Sequence, residues 1–193
     1  QYTFQNEKAL LFARQIVAAD PLAPAGHHYL GLSLMLQDEP DYPAAAEALD
    51  RAAELGQGEL LTNLYRAIAY ARMGAEKKAF DIFAPALPPT RRAVFERGFV
   101  EGGWRGAHAA LARHFEQHGV FCAFGGVYHA AAGLKDEMYR CLEQALSIPS
   151  DTWPSQYFIG GPMWLVNGNP RTWPYLNEPR FQKLIARIPA RVD

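Results

Sequence analysis

Six histidines and two cysteines are the side chains of this sequence whose types could bind a metal or start nucleophilic chemistry. His114 and His118 stand four apart on an expected helix, a spacing that places two imidazoles over one another as metal ligands require. No third ligand follows from the spacing, and Glu116, lying between them, is expected to point elsewhere. A structural or surface role is therefore the expectation for the pair. His27 and His28 are adjacent, so a helix turns them in different directions and they do not chelate. Ser33 sits in an apolar helical stretch, while Ser147, Ser150 and Ser155 fall near or within a C-terminal tail; none has the glycine elbow of a nucleophilic serine. Cys122 and Cys141 lack an activating motif and are expected as buried, reduced thiols. Gly102-Gly103 and Gly160-Gly161 lack the Lys-Ser/Thr ending of a phosphate loop and are expected as turns. The sequence thus supports no catalytic residue, no metal site and no cofactor, and the expectation is a protein that is not an enzyme.

The bulk properties agree. The hydrophobic share of 49% and charged share of 20% belong to a folded globular chain. Nineteen basic against twenty acidic residues leave a net charge of -1, without the basic excess of a duplex-binding surface. Direct nucleic-acid binding is not expected. The longest nearly apolar stretch, Phe121 to Leu134, contains His129 and three glycines and is too short to span a bilayer, which takes about 20 apolar residues.

The elements that would position any binding surface come from an internal repeat. Ala45, Leu49 and Ala52 recur as Ala79, Phe83 and Ala86, each 34 residues later. Spacings of four and three put the three side chains on one helical face, small residues allowing close approach and the large one filling the gap. This period and small–large–small pattern resemble the second helix of a tetratricopeptide repeat. The preceding helices carry a small residue at the close crossing, Gly31, Ala67 and Gly126, followed three positions on by Leu34, Tyr70 and His129. Gly74 and Gly133 supply the positive-φ residue that ends such a helix. Helices are expected near 5–19, 25–37, 43–55, 59–73, 76–86, 91–101, 104–118, 120–132 and 135–147. The fold expected is all-α: a right-handed α–α superhelix, a tetratricopeptide-like solenoid, with an aromatic C-terminal loop and a capping helix.

The array is uneven. Lys8 to Ala19, stopped by Pro21, reads as a second helix with Ala9, Ala13 and Ile16 on its face. Its partner would precede residue 1, so the sequence is expected to be cut from a longer chain. Downstream, Ala107, Leu111 and His114, then Met138, Leu142 and Ala145, continue the pattern at shorter steps. Residues 1–148 are thus expected as repeats with a truncated first copy. Residues 149–193 are expected as a tail and capping helix in the same domain. Between 149 and 177 lie five prolines and three tryptophans, with Tyr157, Phe158 and Tyr175. After it Phe181, Leu184, Ile185 and Ile188 mark one face of a closing helix.

Trp173-Pro174-Tyr175-Leu176-Asn177-Glu178-Pro179-Arg180-Phe181-Gln182-Lys183-Leu184 resembles the ending of C-terminal tetratricopeptide domains of bacterial signalling proteins, and Glu101-Gly102-Gly103-Trp104-Arg105-Gly106 resembles a segment of the same group. The resemblance covers most of residues 20–190. The sequence departs from that group in the aromatic run Trp153 to Trp164, where a shorter charged stretch is usual. Such domains are attached to winged-helix transcription regulators, nucleotide cyclases and Ser/Thr kinases. The resemblance implies the sensory or interaction module of a regulator, binding a protein, a peptide or a small molecule. It also implies that first helices line a concave face. In that register His28, Leu32 and Met35, then Leu64, Ile68 and Arg72, then Arg92, Glu96 and Phe99 face a ligand. Trp153 and Trp164 on the tail form either its wall or its plug. Two other readings stand beside it: a free-standing adaptor for a partner peptide, and an enzyme with a pocket under the aromatic tail. A homodimer stays open. The cytoplasm is the favoured location, with the periplasm an alternative if a membrane span lies upstream.

Overall fold

The computed structural model describes residues 6–37, 39–56, 58, 60–118, 122–147 and 178–187. The regular elements among them are helices: α1 (Asn6–Ala19), α2 (Pro24–Met35), α3 (Tyr42–Glu54), α4 (Leu60–Arg72), α5 (Glu76–Phe83), α6 (Pro89–Gln117), α7 (Cys122–Ala132), α8 (Lys135–Ser147) and α9 (Pro179–Ile185). The all-α expectation holds, and helix ends fall within a few residues of the expected ones. None of these helices is long and apolar enough to cross a membrane. The largest departure is α5, which stops at Phe83 rather than reaching Ala86 and tightens into a 3₁₀ turn, Ala84–Ala86. Pro85 has no amide hydrogen to continue the helix, and Leu87, next to Pro88, is already extended. The chain divides into two compact units, Gln1–Pro88 and Pro89–Asp193. That division falls between two prolines.

In the first unit, consecutive helices pack in order, α1 on α2, α2 on α3, α3 on α4 and α4 on α5. The small–large–small faces are its core: Ala45, Leu49, Ala52 and Ala79 are inaccessible and Phe83 is nearly so, while Ala86 is half-buried on the 3₁₀ turn. Gly31 explains how α2 reaches α3. A Cβ built there would lie 2.5 Å from Leu49 Cγ and 3.0 Å from the Ala45 carbonyl oxygen, so the two helices are closer than any side chain permits. Helix α3 starts on Asp41, whose carboxylate accepts from the Ala44 amide at 3.0 Å, and on Pro43, which needs no partner there. Helix α4 ends as the sequence predicts. Gly74 has φ 81°, the Ala75 amide reaches back to the Tyr70 carbonyl and the Gly74 amide to Ala71.

Polar contacts tie α4 to its predecessors. The Asp50 carboxylate on α3 accepts from Arg66 Nε at 2.8 Å and Nη2 at 2.7 Å, and from the Tyr70 hydroxyl at 2.5 Å. Asp50→Ala strands three donor groups on two side chains in a half-exposed site and is expected to cost about 1–2 kcal/mol, readable as a lower urea midpoint. His28 Nδ1 on α2 and Thr62 Oγ1 on α4 are 2.9 Å apart, although 34 residues separate them.

The second unit repeats part of this design. Helix α6 is broken by Gly102 (φ -155°, ψ 27°) and Gly103 (φ 61°, ψ -151°), so its two halves double back on each other. The halves meet at glycines: a Cβ on Gly98 would lie 2.6 Å from the Gly106 carbonyl oxygen and 2.7 Å from Ala110 Cβ. Helices α6, α7 and α8 then pack in order. Gly126 of α7 sits over α8 as Gly31 sits over α3; a Cβ there would meet Cys141 Cβ at 3.2 Å and Leu142 Cδ2 at 3.5 Å. Gly133 (φ 76°) ends α7 with the two bonds seen at Gly74, from Leu134 to His129 and from Gly133 to Ala130.

Helix α9 closes the exposed side of α8. Phe181 and Leu184 are buried, Arg180 bonds Glu143 at 2.9 Å and lies over the Tyr139 ring, and Glu178 bonds Lys135 at 2.7 Å and the Tyr139 hydroxyl at 2.8 Å. The expected capping helix is therefore present over Pro179–Ile185. The side chain of Ile185 and all of Ile188 lie outside the described residues.

Candidate functional site

Two places on the molecule combine shape with chemistry, one in each unit. The first is an open groove of about 820 Å³ in the first unit. Pro43, Glu47, Asp50, Arg51 and Glu54 of α3 are among its lining residues, with Arg14 of α1, His27 and Leu30 of α2, and Tyr70 and Met73. Its lining mixes the carboxylates of Asp41, Glu47, Asp50 and Glu54 and the guanidinium groups of Arg14 and Arg51 with apolar side chains such as Leu30, Leu34 and Met73.

The residues nominated from the sequence sit elsewhere. Met35, Leu64 and Ile68 are core residues, His28 and Leu32 are half-buried, and Arg72 is exposed. His28 is held by Thr62 and by edge-on contact with Tyr65. None of these six lines the groove, which opens beside their neighbours His27, Leu30 and Met73. Met35, Leu64 and Ile68 are thus covered by the packing of the helices, while His28, Leu32 and Arg72 keep surface of their own. Arg92 and Phe99 are half-buried and Glu96 exposed on α6 in the second unit. Trp153 and Trp164 lie outside the described residues.

The second place is a cluster that no local motif announces. Glu116 near the end of α6, His129 on α7 and Cys141 on α8 converge. One oxygen, Glu116 Oε1, lies 2.8 Å from His129 Nε2, and accepts from Cys141 Sγ at 3.0 Å and from Arg140 Nη2 at 2.6 Å. His129 is 2% exposed and Cys141 fully buried, while the Glu116 side chain is 25% exposed. Burial alone would raise the Glu116 carboxyl. The hydrogen bonds from Cys141, His129 and Arg140, with the attraction to His129, outweigh it and hold that carboxyl down to about 2. Cys141 is a thiol in a buried site, as expected. The side chain of Cys122 is outside the described residues.

The helical geometry explains why three distant residues meet. Gly126 brings α7 down on Cys141, which sets His129, one turn along, against the same stretch of α8. Glu116 turns away from the His114–His118 pair toward this contact. That pair has ring centroids 4.2 Å apart, and His118 Nδ1 is engaged with the His114 carbonyl at 2.8 Å. Among the described residues no third His, Cys, Asp or Glu joins the pair; Glu116, His129 and Cys141 form the one such group of three.

Close by in the same unit, His108 is fully buried against Trp104, Phe95 and Tyr128, with ring centroids at 4.6, 5.7 and 5.5 Å. Neither of its ring nitrogens has a hydrogen-bond partner. Burial lowers its pKa to about 3 and lifts the Tyr128 hydroxyl to about 12, so both stay neutral in ordinary buffers. In comparison with known proteins, no family model matches this chain, and no curated protein or solved structure matches it.

Proposed function

We propose that this chain is a protein-binding helical-repeat module of the tetratricopeptide type, whose contact surface includes the groove beside α3. The observation that carries the reading is the recurrence of one helix-pair contact. Gly31 rests on Ala45 and Leu49, and Gly126 rests on Met138, Cys141 and Leu142. Helices α4 and α7, which open their pairs, end on the same glycine-terminated hydrogen-bond pattern. The His28–Thr62 contact adds that consecutive first helices touch each other, as neighbours in a stack of repeats do. The likeness of Glu101–Gly106 and Trp173–Leu184 to bacterial signalling proteins extends the reading to the sensory or interaction domain of a regulator.

Peptides selected from a displayed library against the whole chain test this. The double reversal Glu47→Arg with Arg51→Glu changes two exposed groove residues and is expected to weaken selected peptides at least about tenfold. Lys183→Glu on α9 is expected to leave affinity unchanged. Binders indifferent to the groove reversal, or no binders at all, would overturn the assignment.

A further inference from the structure

We infer that Glu116, His129 and Cys141 form a binding site for one zinc-class divalent cation. The inference is independent of the groove. The donors are a carboxylate oxygen, an imidazole nitrogen and a thiol sulfur, the set that a borderline-soft dication takes in proteins. They come from three different helices, and the three donor atoms lie within 4.8 Å of one another. A tetrahedral zinc ion holds such atoms about 3.4–3.6 Å apart, from metal–ligand distances of about 2.0–2.3 Å. The two measured sides are 2.8 and 3.0 Å, so each opens by about half an ångström, a rotamer adjustment and not a refolding.

Two further observations point the same way. First, three donors crowd on a single oxygen of Glu116, more than its two lone pairs serve well. Placing a cation among Oε1, Nε2 and Sγ replaces two of those bonds. Second, the charges balance. The Cys141 proton leaves to solvent as the thiolate forms, and the His129 Nε2 proton gives way to Nδ1 protonation. One thiolate, one carboxylate and a neutral imidazole then neutralise a dication, which lets a largely buried site hold it. Arg140, half-exposed, releases its hold on Oε1 and turns to water. The fourth position falls to a water molecule on the Glu116 side, the only exposed side of the three ligands.

Titration of the full chain with cobalt(II), as a coloured stand-in for zinc, provides the test. One equivalent is expected to bind with a thiolate-to-cobalt charge-transfer band, and zinc is expected to bleach it. Cys141→Ser should remove the band. Glu116→Gln should weaken binding at least about tenfold, and His118→Ala should change neither. If Cys141→Ser fails to fold by circular dichroism, the wild-type chain still answers: zinc is expected to slow alkylation of Cys141, mapped by peptide mass, at least about tenfold. A band that survives Cys141→Ser, binding lost with His118→Ala, or alkylation of Cys141 unaffected by zinc would each overturn the assignment.

Discussion

Bringing the protein from about pH 7.5 to about pH 4 is expected to destabilise the second unit by about 3 kcal/mol through His108 alone. The folded state holds this imidazole neutral with a pKa of about 3, against about 6.5 in an unfolded chain. Between those values the unfolded chain binds the extra proton and the folded one does not. Stability is therefore complete above about pH 6.5 and is lost progressively as pH falls toward 3. His114, half-buried, shifts in the same direction, by burial and by the nearby His118 and Arg91. The depressed carboxyls of Glu116, Glu143 and Glu178 act in the same sense only lower, as pH falls below their ordinary range. His108→Phe separates these contributions. Phenylalanine keeps the ring contacts to Trp104, Phe95 and Tyr128 while removing two nitrogens that have no partner. The variant is expected to be more stable at neutral pH by about 1–3 kcal/mol and to lose much less stability than the parent between about pH 6.5 and pH 4. Urea melts of both proteins at a series of pH values measure this; parallel curves for the two would show that His108 is not the acid-sensitive group.

The second large effect is expected at the fold-back of α6. Gly98→Ala should cost about 3 kcal/mol, the upper end of the usual penalty for overpacking. The added Cβ meets a backbone oxygen of Gly106, Ala110 Cβ and Ala107 Cα, all closer than 3.0 Å, and none of these is a flexible side-chain end that could swing away. The half-helices must separate, which loosens Phe95 and Ala107 from the core. Two neighbouring glycines serve as controls. Gly102→Ala meets nothing within 4 Å at an ordinary extended φ, so only a small change is expected. Gly103→Ala forces a side chain onto φ 61°, ψ -151° and is expected to cost about 1–3 kcal/mol from backbone strain alone. Thermal melts should therefore rank Gly98→Ala as the most damaging and Gly102→Ala as the mildest. An equal ranking of Gly98 and Gly102 would mean that the close approach does not control stability.

For the described residues, helix type and most helix boundaries were legible in the sequence itself. The period of the small–large–small faces, Pro24 and Pro43 at helix starts, and Gly74 and Gly133 at helix ends each act within a turn or two of the backbone, so local spacing encodes them. The rule failed where local signals compete: Pro85 cuts α5 short although the apolar face continues to Ala86. Surface assignments were less legible. Met35, Leu64 and Ile68 fit an inward-facing register as well as they fit a core, because a helix face looks the same in sequence whichever neighbour covers it. The Glu116–His129–Cys141 cluster was invisible for another reason. Its members are 13 and 25 residues from Glu116 on separate helices, and nothing in their spacing relates one helix to the next. Local sequence determined that this chain would be helical and where its helices stop. Only the packing of α6, α7 and α8, with Gly126 at the α7–α8 crossing, decided which of its histidines and cysteines would meet a carboxylate.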